Sequence, residues 1–163
     1  MSGISHRKAG RGLRALGLAA AFWTIASLQP VAAELPKDAD GMLADIRGAI
    51  EARDYERFEE LVLWKDVGKI KGRVVAFQIR RGLGRAVESI SLEPVSQEAI
   101  DRMLADGRHK INMPVTEKIR VVYAEPPNEK TGKKPTSVFL VGKHKDAYRI
   151  GVVVRNFEDD DDD

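Results

Sequence analysis

Seven basic residues stand between positions 65 and 85, namely Lys65, Lys69, Lys71, Arg73, Arg80, Arg81 and Arg85, and six consecutive acids, Glu158 to Asp163, end the sequence. The basic cluster can attract an anionic lipid, polysaccharide or nucleic-acid surface, with Lys69, Lys71, Arg73, Arg80 and Arg81 as the anion-binding candidates. The bases are not threaded by the series of aromatics that stacking on nucleic acid requires, so nucleic acid is not the expected partner. The acidic run lacks the glycine turn and fixed ligand spacing of a calcium loop, and its ordinary role is a solubilising tail. A sharper expectation is that this tail folds back on the basic body, since attraction screened at physiological salt still acts over about 8 Å. With no cysteine a thiolate nucleophile is excluded, and with His6, His109 and His144 as the whole histidine complement a His-based zinc site is not expected, so metal binding would have to rely on oxygen. No metal and no cofactor is expected. Gly68 to Gly72 and Gly82 to Gly84 do not follow strands and lack the Gly-Lys-Ser/Thr ending of a phosphate loop, so they are read as helix boundaries.

These residues sit in a chain of 163, of which 32% are charged and 43% hydrophobic. Such a composition fits one ordinary globular domain and excludes both a disordered chain and a multispanning membrane protein. Arg7, Lys8, Arg11 and Arg14 precede an apolar run from Ala15 to Leu28, and Val31-Ala32-Ala33 places small residues before Glu34. That is the order of a Sec-type signal peptide, with cleavage expected after Ala33 and a periplasmic or secreted product. The 14-residue run is shorter than the roughly 20 residues a bilayer span needs. Loss of residues 1–33 leaves 130, enough for a single core without staples. The expected organisation is a leader over 1–33, one domain over 34–157 and an acidic tail over 158–163.

Asp38 and Asp40 offer capping oxygens before Leu43, Ile46, Ala49 and Ile50, whose spacing predicts a helix over 39–53. Asp54 caps a second helix with Tyr55, Phe58, Leu61 and Val62 on one face. Val67, Ile70, Val74 and Phe77 predict the buried stripe of a third, which ends in Arg80, Arg81 and Gly82. The period then changes to two. Strands are predicted over 86–93, from His109 through Tyr123, over 138–141 and from Tyr148 through Val154, with a short helix inserted at 97–105. Helices followed by strands predict an α+β fold, in which N-terminal helices pack on a curved antiparallel sheet of about four strands.

This order resembles the NTF2-like superfamily of cone-shaped, cystatin-like domains. The resemblance spans about Asp38 to Phe157 and is carried by the helix break Ala52-Arg53-Asp54-Tyr55-Glu56-Arg57-Phe58. It implies a pocket in the open end of the cone, in a superfamily that holds isomerases, dehydratases, ligand binders and interaction modules, so layout alone does not choose a reaction. Catalytic members of the isomerase type set a carboxylate base against an acid such as tyrosine. Tyr55, His109, Glu117 and Tyr123 are the residues of suitable type to line such a pocket, and no spacing rule ties any of them to a catalytic position. Tyr55 and Tyr123 lie on apolar stripes, where a core ring with its hydroxyl at the rim is the commoner role. The expected function is therefore an exported, non-catalytic module binding a small molecule or a protein. An acid–base isomerase or dehydratase and a basic envelope module that binds anionic surfaces are the alternatives. A homodimer through the outer face of the sheet, near Ala147, Gly151 and Val153, is an expected partnership.

Overall fold

Helix α1 (Ala39–Ala52) begins where Asp38 Oδ1 accepts a 2.8 Å bond from the Gly41 N–H, and it buries Met42, Ile46, Ala49 and Ile50 on one line. Arg53, in the left-handed region at φ 59°, closes it, and Asp54 at once caps α2 (Tyr55–Leu61) through the Arg57 N–H at 2.9 Å. These details belong to a computed structural model that describes residues 34–156. The expected leader over 1–33 and the acidic tail over 158–163 lie outside the described residues.

Among the described residues, four helices and six strands follow the expected α+β order. After α3 (Lys69–Gly82) come β1 (Val87–Pro94), α4 (Gln97–Met103), β2 (His109–Ile111), β3 (Glu117–Tyr123), β4 (Thr136–His144), β5 (Ala147–Gly151) and β6 (Val153–Arg155). The main sheet is antiparallel in the order β1-β3-β4-β5, and β2 pairs with β6 in a second, two-stranded sheet. On one face of the main sheet, Ile119, Val121 and Tyr123 of β3 and Val141 of β4 meet Met42, Ile46, Ile50, Phe58 and Leu61 from α1 and α2. The early helices thus find cover on the sheet, in one compact unit with its own core.

A second cluster of Leu63, Ile100, Met113 and Val115 covers part of the opposite face. Gly142 makes that crossing feasible, because a Cβ there would lie 2.5 Å from the Pro114 carbonyl oxygen. Gly151 is likewise packed beneath Val115, Met113 and Ile111. The outer surface near Gly151 is therefore occupied from within the chain, unlike the open dimer face that strand alternation suggests.

Alternation from Tyr148 to Val154 predicts one strand, yet pairing breaks at Val152. The reason is Asn112. Its backbone N–H donates to the Val152 carbonyl at 3.1 Å, and its side-chain Oδ1 accepts from the Val152 N–H at 2.9 Å. Its Nδ2 donates to the carbonyls of Leu63 at 2.6 Å and Lys65 at 2.8 Å. One amide thus draws the last strand away from β4 towards β2 and ties both to the α2–α3 connection.

The third helix also differs from its predicted stripe. Ile79 and Gly82 are buried, and Val75 is half-buried, whereas Ile70, Val74 and Phe77 are 81%, 45% and 60% exposed. Two apolar lines run along this helix, and periodicity favours neither. Packing selects the one with small residues, because Gly82 presents bare backbone to the Tyr123 hydroxyl.

Two stability predictions follow from these contacts. Asn112→Ala strands the carbonyls and the N–H it serves and should lower unfolding free energy by about 2–4 kcal/mol in urea titration, beyond the loss of a single exposed hydrogen bond. Glu93 on β1 accepts two bonds from Arg120, at 2.6 and 3.2 Å, and lies 3.1 Å from Lys118. The hydrogen bonds from Arg120 and then Lys118 hold its carboxyl at about 2, against 4.5 for a free glutamate. This contribution is complete above pH 4.5 and disappears as pH falls through about 2, since the unfolded chain takes up the proton first. Glu93→Gln should flatten the fall in melting temperature across that window.

Candidate functional site

The strands of the central hairpin differ in length. All of β4 from Thr136 to Val141 pairs with β3, but β5 pairs only with Leu140 to His144. Thr136 to Phe139 therefore has a neighbour on one side alone. The Tyr123 N–H donates to the Pro135 carbonyl at 3.1 Å, so by the alternation of an antiparallel ladder the odd residues of this stretch bond towards β3. The backbone N–H and C=O of Val138 consequently face the open edge, and among the described residues neither has a hydrogen-bond partner.

Helix α3 runs beside this edge and makes it one wall of a cleft. The inner part holds about 210 Å³ and is lined by Phe58, Val62, Val75, Ile79, Phe139 and Val152, with Lys71 and Gln78 among its few polar neighbours. The outer part holds about 610 Å³ and is bordered by Arg81, Arg85, Glu125 and the Thr136 to Phe139 edge. Gln78, Val138 and Phe139 line both, so the two parts are continuous. Phe58 and Phe139 touch across the floor with ring centroids 5.3 Å apart. Another depression, of about 580 Å³, lies between α4 and the Lys110 to Val115 segment, but it does not open on the free part of β4. An apolar floor, a bare strand edge and, at the mouth, Arg81, which has no ion-pair partner among the described residues, suit an extended ligand.

The sequence candidates are not brought together. Tyr55 donates to Glu59 Oε1 at 3.1 Å beneath the Arg80 guanidinium, which sits 4.2 Å from its ring centroid, and burial followed by the Glu59 acceptor pushes its hydroxyl pKa up. His109 is exposed on β2, with Nδ1 2.7 Å from Asp106 Oδ2, and this contact holds the Asp106 carboxyl below its ordinary range. Glu117, at the start of β3, accepts a 3.4 Å bond from the Tyr148 hydroxyl. Burial, then Glu117, raises the Tyr148 pKa, so that hydroxyl keeps its proton and acts as a donor to the carboxylate. Tyr123 comes nearest to the cleft. Its buried hydroxyl lies 3.0 Å from Ser137 Oγ and its ring lies under Arg85 at 3.8 Å, while Ser137 and Gly82 line the outer cleft.

The basic candidates divide between two sides of α3. Lys71 lines the inner cleft and Arg81 the outer, Arg80 covers Tyr55, and Lys69 and Arg73 are exposed. Among the described residues no three acidic or histidine side chains converge as a metal set would, and no helix is long and apolar enough to cross a membrane. Sequence reasoning passed over Val138, Phe139 and Gln78. Their importance arises from the unequal pairing of β4, which local alternation does not record.

No protein-family model matches this chain, and neither a curated protein nor a solved structure does.

The wall of the cleft can be tested at Gly82, where a Cβ would stand 2.8 Å from the Tyr123 hydroxyl oxygen. Gly82→Ala should cost about 1–3 kcal/mol by overpacking, despite the better helix propensity of alanine. In a Tyr123→Phe background the nearest ring atom is 3.8 Å away, and the same substitution should become neutral or stabilising in a denaturation cycle.

Proposed function

We propose that the chain is an exported, NTF2-like binding module that captures an extended segment of a protein partner along the open edge of β4 and performs no chemistry of its own. The observation that carries this reading is the pair of free backbone groups on Val138, set between an apolar floor and α3. A peptide that adds a strand there gains main-chain hydrogen bonds, and alternate side chains enter the inner cleft. Phe139, Ile79 and Val75 favour an apolar side chain at that position, and Arg81 favours an acid towards the outer end. Support for the NTF2-like assignment is the order of helices before an antiparallel sheet. Support for export, to the periplasm or outside the cell, is the basic, then apolar, then small-residue pattern of positions 1–33.

Random peptides displayed on phage and selected against residues 34–163 should converge on sequences that alternate apolar residues with an acid. Val138→Pro removes the donor without taking a bond from β3, and proline is tolerated at an outward-facing edge position. The variant should melt within a few degrees of the parent and bind the selected peptides at least about tenfold more weakly, the cost of roughly one charge-free hydrogen bond plus steric exclusion. Peptides that bind parent and Val138→Pro equally would reject strand addition.

A further inference from the structure

The face of α3 turned away from the cleft carries a second apolar line. Ile70, Val74 and Phe77 follow one another at intervals of four and three residues, which keeps them on a single ridge, and they are among the most exposed large hydrophobic side chains described. The helix has five bases and no acid. Lys69, Arg73 and Arg80 fall along one flank of the ridge, Arg81 lies within it beside the Phe77 ring at 5.8 Å, and Lys71 lies beyond. Among the described residues, no acid forms an ion pair with any of these five. Several bases elsewhere in the domain differ in this respect: Arg57, Arg85, Lys118, Arg120 and Lys134 each have a carboxylate partner.

We infer that this outer ridge docks the domain on an anionic phospholipid surface. Ile70, Val74 and Phe77 enter the boundary between headgroups and acyl chains, and Lys69, Arg73 and Arg81 contact lipid phosphates. Each half of the pattern narrows the occupant. An apolar row one residue wide, flanked by long basic side chains, fits a helix lying in the plane of an interface. A second copy is disfavoured, because pairing two such ridges brings five bases against five with no acid between them. The inference differs from peptide capture in the side chains it uses: Ile70, Val74 and Phe77 lie away from the cleft and Val138 is untouched, and Arg81 alone borders both surfaces.

Vesicle flotation of residues 34–163, which contain the whole described unit, tests it. Binding is expected on vesicles of phosphatidylcholine with one-quarter phosphatidylglycerol, absent on pure phosphatidylcholine, and weaker as salt rises. Ile70→Ser with Phe77→Ser, and separately Lys69→Glu with Arg73→Glu, should each reduce binding at least about tenfold, because every base near an anionic surface contributes roughly a fivefold gain. Both pairs change exposed side chains and should keep the parent melting temperature. Val138→Pro should bind vesicles like the parent. Failure of the parent to float with anionic vesicles, equal flotation on neutral ones, or no loss in either double variant would overturn the inference. A concentration-dependent dimer in light scattering that disappears in Ile70→Ser with Phe77→Ser would also overturn it and assign the ridge to a second copy.

Discussion

The side-chain amide of Asn112 is the junction on which the rest of the arrangement depends. It accepts from the Val152 N–H and donates to the carbonyls of Leu63 and Lys65, while its own backbone N–H bonds the Val152 carbonyl. Those bonds, together with the β2–β6 ladder that follows them, hold the last strand away from β4. With them, the chain turns aside after Gly151, β6 joins β2, and the first half of β4 is left with a bare edge. The cleft is thus the space vacated by a redirected strand. Helix α3 fills only part of it, because its close approach is confined to the line of Val75, Ile79 and Gly82.

Much of the scaffold was legible in the sequence because it depends on local chemistry. Asp38 and Asp54 cap the helices that their positions predict, Phe58 and Leu61 face the core, and the change from helical to alternating period near residue 87 marks the onset of the sheet. Details set by distant partners were not legible. The break at Val152 interrupts a perfect alternation and is dictated by a residue 40 positions earlier. The stripe of α3 was read on the wrong side, since Ile70, Val74 and Phe77 satisfy helical spacing as well as Val75 and Ile79 do. The close approach of Tyr123 to Gly82, with Val75 and Ile79 packed on the core, goes with the second line.

The same distinction applies to the site. Tyrosine and carboxylate can be recognised by type, and the fold does place two such pairs within hydrogen-bond reach, Tyr55 with Glu59 and Tyr148 with Glu117. Neither pair lines the cleft beside α3. The feature that shapes that cleft is a backbone position, Val138, whose side chain has no distinguishing chemistry. A strand residue becomes a recognition element only when its neighbour on one side ends early, and strand ends are tertiary facts.

An uncovered ribbon edge is also an invitation to self-association, because two molecules offering the same bare amides can close on each other edge to edge. Natural sheets deter this with lysines, bulges or prolines along the rim. Here the deterrent is borrowed from a neighbour: the cationic rod beside β4 would meet its twin in any edge-to-edge encounter. Ions that neutralise that rod would therefore relax the safeguard, so colloidal behaviour and recognition are coupled through one short helix.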